Sequence, residues 1–352
     1  MRSWASQAHA QRSPRGAEQH CAQGLRCYEG GVATGFVLGI DAGGSGSRWA
    51  LADLAGNLES SGNCKALQLV GMTIEEAVDR IVAIVREAQR AAPQSQIAAI
   101  VAGLAGAGDA ARRRELEAAV GKRLHGDAGL LRIRIVTDLE IAGAQAFPSA
   151  PGYAAWSGTG SFVIARDHSG ALLRLGGRGY LLGDQGSGFD LVRQAARASL
   201  LGLDGIGPPP GELAAALVAS FAVPGLARLS AALQRLSPRE VAAVAPTVLG
   251  FAQSGDARAK EAVQVAFAGL ADLVIAMVAR VGEPLVTLHV GGSVLRESAV
   301  ARAALLQALA VRGFTPELVP VRESSALGAV RLGRAWLVSE QPLARWVEDG
   351  AA

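Results

Sequence analysis

A carboxylate, Asp41, lies between a short apolar run and a loop of small residues. The run covers residues 36–40, is bounded by glycine and contains bulky and β-branched side chains, which favours a buried strand. The loop carries residues whose backbone N–H groups or hydroxyls can bind an anion: Gly43, Gly44, Ser45 and Gly46. A phosphate fits such a loop, although a glycine-rich hairpin with a capping aspartate is the alternative for this segment alone.

The same residues exclude two other phosphate-binding loops. No G-x-x-x-x-G-K-[ST] motif occurs there and no lysine lies near, so the loop is not of the Walker type. The glycines of residues 39–46 lack the G-x-G-x-x-G spacing, and residues 48–53 continue as a strand instead of opening a helix. A hairpin whose first strand ends in a carboxylate therefore indicates a metal–nucleotide site.

A second carboxylate, Asp138, follows the strand predicted for residues 132–136 and precedes a helix of small residues. A helix cap is a frequent role for a Thr-Asp pair in this position. The functional alternative is a general base, because a carboxylate at a strand end in a cleft can take the proton of a substrate hydroxyl while the helix N-terminus keeps it ionised. We expect Glu140, two residues further on, to point elsewhere.

Three further glycine-rich segments follow. Residues 157–161 repeat the composition of the first loop, so that the two loops can grip a polyphosphate from both sides. Residues 176–188 hold six glycines around a single carboxylate, Asp184, and predict a sugar- or nucleotide-binding wall rather than a flexible linker. Residues 288–293 contain paired glycines that allow an adenine ring to approach, and His289 in that strand is expected to be a core residue.

Composition argues against several classes of protein. With 352 residues, of which 50% are hydrophobic and 18% are charged, the chain is globular and long enough for two domains. A net charge of +3 and 5% aromatic residues, without a basic stripe, argue against a nucleic-acid partner. The three cysteines lack metal-type spacing, and no apolar run reaches the length of a membrane span. We therefore expect a soluble, cytoplasmic protein without a membrane partner.

The predicted elements repeat one order along the chain. Residues 36–61 form two or three antiparallel strands, helices and strands alternate up to Asp138, and a similar series begins after Pro148. Such a repeat predicts two similar α/β lobes with a ligand cleft between them. We expect a disordered extension over 1–35, an N-terminal lobe over 36–148, a C-terminal lobe over 149–336, and a segment, 337–352, that can pack back on the N-terminal lobe.

Together these segments resemble the N-acetylglucosamine kinase and BadF/BcrA-type ATPase family, which belongs to the actin, sugar kinase and Hsp70 superfamily. The segments are Ile-Asp-Ala-Gly-Gly-Ser at 40–45, Thr-Asp at 137–138, Ser-Gly-Thr-Gly-Ser at 157–161, the glycine-rich stretch at 176–188, Val-Gly-Gly-Ser at 290–293 and Ser-Ser-Ala-Leu-Gly-Ala at 324–329. The resemblance implies an α/β fold of two actin-like ATPase (ribonuclease H-like) lobes, with a nucleotide and sugar cleft between them.

By this resemblance the protein is an ATP-dependent kinase that transfers the γ-phosphoryl group to a hydroxyl of an amino sugar, N-acetylglucosamine or glucosamine. Asp138 would be the catalytic base and Asp41 would hold Mg2+. ATP would contact the residues Asp41, Gly43, Gly44, Ser45, Thr159, Gly160, Ser161, Gly291 and Gly292. The sugar would contact the residues Asp138, Thr159, Gly177, Arg178 and Asp184.

Three residues depart from the pattern of the amino-sugar kinases. Ala66 stands in the register of an asparagine, Arg178 stands where tryptophan is frequent, and Phe162 stands where some relatives have asparagine. These differences leave the acetamido specificity open, and a homodimer is open as well.

Two other functions are alternatives to a sugar kinase. The first is an ATPase of the same family that activates a 2-hydroxyacyl-CoA dehydratase or benzoyl-CoA reductase. Such an activator needs cysteines to hold an iron–sulfur cluster, and this chain has none after Cys64. The second is a non-catalytic sugar or nucleotide sensor, which would have no need of a base at Asp138.

Overall fold

The computed structural model describes residues 35–43, 46–67, 69, 71–124, 131–147, 151–321 and 324–339. Gly44 and Ser45 lie outside the described residues, as do residues 1–34 of the predicted disordered extension and the chain after residue 339. The described residues form two five-stranded mixed sheets with helices on their faces. The α/β fold predicted from the sequence is therefore confirmed.

The first sheet contains the strand that carries Asp41. Its strands are β1 (Phe36–Gly43), β2 (Gly46–Asp53), β3 (Leu58–Cys64), β4 (Ile97–Leu104) and β5 (Arg132–Thr137), in the spatial order β3-β2-β1-β4-β5. The first three strands form an antiparallel meander, and β4 and β5 run parallel to β1. Helices α1 (Ile74–Ala91) and α2 (Ala110–Leu124) cover one face of the sheet. Helix α1 begins with the predicted capping box between Thr73 and Glu76.

The second sheet repeats this connectivity. Its strands are β6 (Gly152–Ser157), β7 (Ser161–Arg166), β8 (Leu172–Gly176), β9 (Thr287–Gly291) and β10 (Glu317–Pro320), in the order β10-β9-β6-β7-β8. Strands β6 to β8 form an antiparallel meander, and β9 and β10 continue the sheet in parallel. Strand β6 thus takes the place that β1 has in the first sheet, as the repeated element order predicts.

Most helices follow the second meander. They are α4 (Gly188–Leu203), α5 (Glu212–Ser220), α6 (Leu229–Leu233), α7 (Pro238–Ala242), α8 (Ala245–Gln253) and α9 (Ala257–Val281), with a 3-10 turn at Leu226–Arg228. Helices α10 (Gly292–Glu297) and α11 (Ala299–Ala310) lie between β9 and β10. Together with the second sheet, these helices form the largest apolar core among the described residues.

Helix α9 has 25 residues and an 18-residue window of mean hydropathy 2.1. By length and composition it is the one helix in the described part of the chain that can cross a membrane, and it is longer than any apolar run expected from the sequence. Buried residues occur along it from Ala259 to Met277 and pack against α4, α8 and α11. We assign its apolar character to its position in the second core.

Helices α3 (Asp138–Ala146) and α12 (Ser325–Ser339) tie the two halves of the chain together. One side of α3 packs on the second sheet, where Leu139 and Ala142 share an apolar cluster with Leu172. The other side contacts α12, which itself lies on β1 and β4 of the first sheet. Helix α12 therefore belongs by packing with the first sheet, whereas the predicted boundary at residue 336 grouped it with the second. The division into lobes stays a prediction, with this correction to the place of α12.

Glycines make these helix contacts close. A Cβ atom at Gly328 of α12 would overlap the backbone carbonyl oxygen of Ile141 in α3. A Cβ atom at Gly39 of β1 would overlap the carbonyl oxygen of Ala326 at the start of α12. In both places backbone meets backbone, so no side chain can move away to make room.

We expect Gly328→Ala to lower the free energy of unfolding by about 1–3 kcal/mol or more, because the added methyl group meets a carbonyl that cannot retreat. Gly250→Ala is the matched control, since Gly250 lies within α8 with open space around its would-be Cβ. It should raise stability by about 0.5–1 kcal/mol through helix propensity. Urea unfolding followed by circular dichroism measures both, and equal midpoints for the two variants would contradict the packing described.

Candidate active site

Asp41 lies near the carboxyl end of β1, directly opposite Arg48 of β2. The last pair of this hairpin joins Gly43 to Gly46, as the predicted strand, turn and strand require. Alternate residues of β1 share a face, so Asp41 is on the side that carries Val37 and that α12 covers. The carboxylate therefore faces the region between the two sheets, two residues beyond the contact of α12 with Gly39.

Asp138 is the first residue of α3 and is not its N-cap. Thr137 takes that role, because its hydroxyl accepts from the backbone N–H of Glu140 while the Glu140 carboxylate accepts from Thr137 N at 2.6 Å. The Thr-x-x-Glu spacing at 137–140 is the local sequence signal for this capping box, which was not among the predicted features. Thr137 and Glu140 therefore cap the helix, and the alternative role of Asp138 as a helix cap is not needed.

Burial raises the pKa of the Asp138 carboxyl above its ordinary value. The hydrogen bond that the carboxylate accepts from Leu139 N at 3.1 Å and the positive charge of Arg174 in β8 oppose this shift. Loss of hydration is the larger effect, so the carboxyl has the raised proton affinity that suits a group that accepts a proton.

Asp41 and Asp138 interact electrostatically across the space between β1 and α3. The pKa of Asp41 rises to about 6, first because the carboxyl loses hydration and second because of the charge of Asp138, while Arg48 opposes the shift. Two carboxylates that repel each other at one site provide the hard oxygen donors that Mg2+ prefers. The donor set at Asp41 therefore fits the cation that the sequence predicts, and a bound cation would relieve the repulsion.

The second glycine hairpin, residues 157–161, is built into the second sheet by its serines. Ser157 Oγ donates to the carbonyl of Gly186 at 2.6 Å, and Ser161 Oγ donates to the carbonyl of Gln185 at 2.6 Å. Both hydroxyls are buried and position the segment that leads into α4. Thr159, at the tip of the hairpin, is exposed. Of the residues predicted to contact ATP here, Thr159 is exposed, Gly160 is half-buried, and Ser161 is buried with its hydroxyl bonded to Gln185.

Asp184 has a left-handed backbone conformation, with φ 59°, and is 9% exposed. Its carboxylate accepts from the backbone N–H groups of Ser161 and Gly179, while burial, and after it the charge of Asp190, raises its pKa. Gly160 approaches this carboxylate so closely that a Cβ atom there would lie 2.8 Å from Asp184 Oδ2. The predicted sugar-contacting carboxylate is therefore held rigidly beneath the second hairpin.

The loop before Asp184 is largely exposed. Gly177 and Gly179 have φ values of 64° and 83°, and they flank the exposed residue Arg178. Leu181 and Leu182, further along, are 75% and 87% exposed. The loop thus presents a charged and an apolar surface next to Asp184, in the place where the sequence predicts a substrate wall.

Gly291 and Gly292 lie at the junction of β9 and α10, where close packing leaves no room for a side chain. A Cβ atom at Gly291 would overlap the Trp156 ring, and one at Gly292 would overlap the backbone of Ser157. Gly292 also has φ 79°, which favours glycine. Their packing inside the second sheet accounts for both residues, and contact with adenosine stays a prediction.

His289 lies nearby in β9. Its ring is in T-shaped contact with the ring of Phe147, with a centroid distance of 5.7 Å, and burial lowers its pKa, in agreement with a core role.

The predicted residues gather at the carboxyl ends of β1, β6 and β9 and at the start of α3, where α/β proteins bind ligands. Asp41 and Asp138 interact, and residues 157–161 contact the segment that carries Asp184 as well as the start of α10. Gly43 ends β1 at this edge. Gly44 and Ser45 were predicted to bind ATP and lie outside the described residues.

The sequence of residues 38–330 matches the family model of the BadF/BadG/BcrA/BcrD ATPase family. A relative, the N-acetylmuramic acid/N-acetylglucosamine kinase of Clostridium acetobutylicum, is 30% identical over 172 residues. That match covers 48% of this chain and 55% of the relative, so the chain spans about half the length of the curated relative it matches.

Solved structures show the same fold. A provisionally assigned N-acetylglucosamine kinase of Chromobacterium violaceum has 24% identity and a TM-score of 0.65, over 84% of this chain and 98% of that chain. One from Porphyromonas gingivalis has 21% identity and a TM-score of 0.66, over 87% and 100%. A ROK family glucokinase of Streptomyces griseus has 18% identity and a TM-score of 0.53, over 87% and 100%.

We expect Asp41→Asn to stabilise the metal-free protein at pH 7.5. The folded-state pKa of about 6 exceeds the value of 3.8 in the unfolded chain, so the folded state binds more protons between about pH 4 and pH 6 and loses stability as the pH rises. Removing the charge should raise Tm at pH 7.5 by roughly 2–4 °C, and this gain should shrink towards pH 4.

Asp53→Asn provides the control of opposite sign. Hydrogen bonds from Asn57 lower the pKa of this exposed carboxyl, so its charge stabilises the folded state at neutral pH. Its removal should lower Tm at pH 7.5. Thermal melts in EDTA from pH 4 to pH 8 measure both variants, and a lower Tm for Asp41→Asn at pH 7.5 would be incompatible with a destabilising buried charge.

Proposed function

Because the chain belongs to the BadF/BadG/BcrA/BcrD ATPase family, we propose that it is an ATP-dependent kinase that phosphorylates a hydroxyl of an amino sugar, N-acetylglucosamine or glucosamine. The observation that carries the proposal is the pair of interacting carboxylates, Asp41 in the first glycine hairpin and Asp138 at the start of α3. A protein that only hydrolyses ATP needs no second carboxylate for an acceptor hydroxyl. The name of the Clostridium acetobutylicum relative supports an amino sugar as the acceptor.

In the proposed reaction Asp138 is the general base. Its carboxylate is free of the capping role, is partly buried and has a raised pKa, so it can accept the proton of a sugar hydroxyl as the phosphoryl group is transferred. Arg174 and the N–H group of Leu139 favour the ionised form, which is the form that accepts a proton. Both effects favour transfer of the hydroxyl proton to the carboxylate. The acceptor oxygen can then attack the γ-phosphorus in line with the leaving group.

The donor side is assigned to the first hairpin and to the loops of the second sheet. Asp41 would hold Mg2+, which neutralises phosphate charge when it is bound. Gly43, Gly44 and Ser45 would contact the phosphates with Thr159, Gly160 and Ser161 opposite them. Gly291 and Gly292 would contact adenosine.

The acceptor side is assigned to the loop around Asp184. The buried carboxylate of Asp184 would accept hydrogen bonds from sugar hydroxyls, and Gly177 and Arg178 would line the ring together with Thr159. We further propose that the two lobes meet at this site. The protein would act in the cytoplasm as a monomer or a homodimer, without a nucleic-acid or membrane partner.

The test is a coupled ADP-release assay with N-acetylglucosamine, glucosamine, N-acetylmuramic acid and glucose as acceptors. Asp138→Asn is expected to lower kcat by about 10²–10⁴-fold on the best sugar, because the amide cannot accept the proton. If wild-type protein turns over none of these sugars, or hydrolyses ATP at a rate that sugars do not change, the proposal is wrong.

Glu140→Gln is the matched control, two residues away on the same turn of α3. Glutamine also completes a capping box, so this variant should keep both the fold and kcat within about two-fold. If Glu140→Gln and Asp138→Asn lost kcat equally, the loss would come from a disturbed helix start and not from removal of a general base.

A further inference from the structure

A cavity of about 190 Å3 lies on the first sheet beside the start of α12. Its polar lining residues are Arg48, Ser61, Asn63 and Ser324, and its apolar lining includes Leu58 and Leu327. The side chains of Arg48, Ser61 and Asn63 are all exposed, so solute can reach the cavity directly. None of the functions proposed above uses it.

The strand register places this cavity relative to Asp41. Asp41 pairs with Arg48 across β1 and β2, and Arg48 pairs with Asn63 across β2 and β3. Directly opposite residues point to the same face, so these three side chains form one row across the sheet. Neighbouring strands are about 4.8 Å apart, which puts Asn63 roughly 10 Å from Asp41.

The cavity and the proposed base lie on opposite sides of Asp41. Asp138 follows β5, two strands beyond β1, whereas β3 lies two strands away in the other direction. About 20 Å of sheet therefore separates Asn63 from the end of β5. The cavity is thus distinct from the acceptor site proposed around Asp138.

The chemistry of the lining selects an anion. Arg48 is the one charged residue among the described residues that line the cavity, and no carboxylate of the described chain is among them. An arginine binds phosphate through two parallel hydrogen bonds, and the amide of Asn63 and the hydroxyl of Ser61 add donors. The volume equals that of roughly six water molecules, which suits a phosphate group with a small organic skeleton and is too small for a nucleotide.

We propose that this cavity binds a small phosphate-bearing anion through Arg48, Ser61 and Asn63. Binding of the anion does not depend on the proposed kinase activity, and the two can be tested separately.

Isothermal titration calorimetry tests the binding with inorganic phosphate and with glucose 6-phosphate as probes. The full chain is first saturated with Mg2+ and AMPPNP, so that phosphate contacts of the donor site are occupied. We expect one anion per chain, and we expect Asn63→Asp to weaken it at least 10-fold by placing a negative charge next to Arg48. Binding of glucose 6-phosphate alone would identify a sugar phosphate as the ligand, and binding of both would show that the phosphate group suffices.

Arg90→Gln is the matched control for charge. Arg90 is exposed in the last turn of α1, and its loss changes the net charge by the same amount as Asn63→Asp. It should leave the anion affinity unchanged. The proposal would be overturned if Asn63→Asp bound the anion as tightly as the wild type, or if Arg90→Gln lost as much anion affinity as Asn63→Asp. It would also be overturned if neither probe bound.

Discussion

The backbone contact between α12 and α3 is the constraint on which the described arrangement depends. Helix α3 lies between the sheets, and α12 clamps it to the first sheet through Gly328, while Gly39 lets α12 lie directly on β1. The same packing decides where β1 becomes accessible. Strand β1 is covered as far as Gly39 and opens two residues later at Asp41, on the same face. The position of the carboxylate in the site is thus a consequence of how far α12 extends along the strand.

Electrostatics in the site follow from the same geometry. Two carboxylates approach from β1 and from the start of α3, and both have raised pKa values, chiefly because they lose water. Arginines of the two sheets compensate in part, Arg48 for Asp41 and Arg174 for Asp138. An arrangement that costs stability in the isolated protein is typical of sites that bind a cation or move a proton, because the ligand supplies the missing partner.

The features that the sequence predicted well are local ones. Period-two alternation and glycine turns indicated both meanders, and Thr73 with Glu76 marked the start of α1. The features it missed depend on contacts between distant segments. The placement of α12 on the first sheet and the packing of Gly291 against Trp156 could not be read from neighbouring residues. The cap formed by Thr137 and Glu140 is an exception, because its Thr-x-x-Glu spacing is a local signal that the sequence does contain. The roles of the individual site residues stay predictions.

The backbone of Asp184 restricts how this protein can diverge. A left-handed conformation at φ 59° is tolerated by glycine, asparagine and aspartate and penalises longer or branched side chains. Of these three, only aspartate carries a charge. Point substitution at this position can therefore remove the carboxylate or keep it, and extending it by one methylene to glutamate would strain the chain. A shift of specificity around this residue has to come from its neighbours, above all from the exposed loop that contains Arg178.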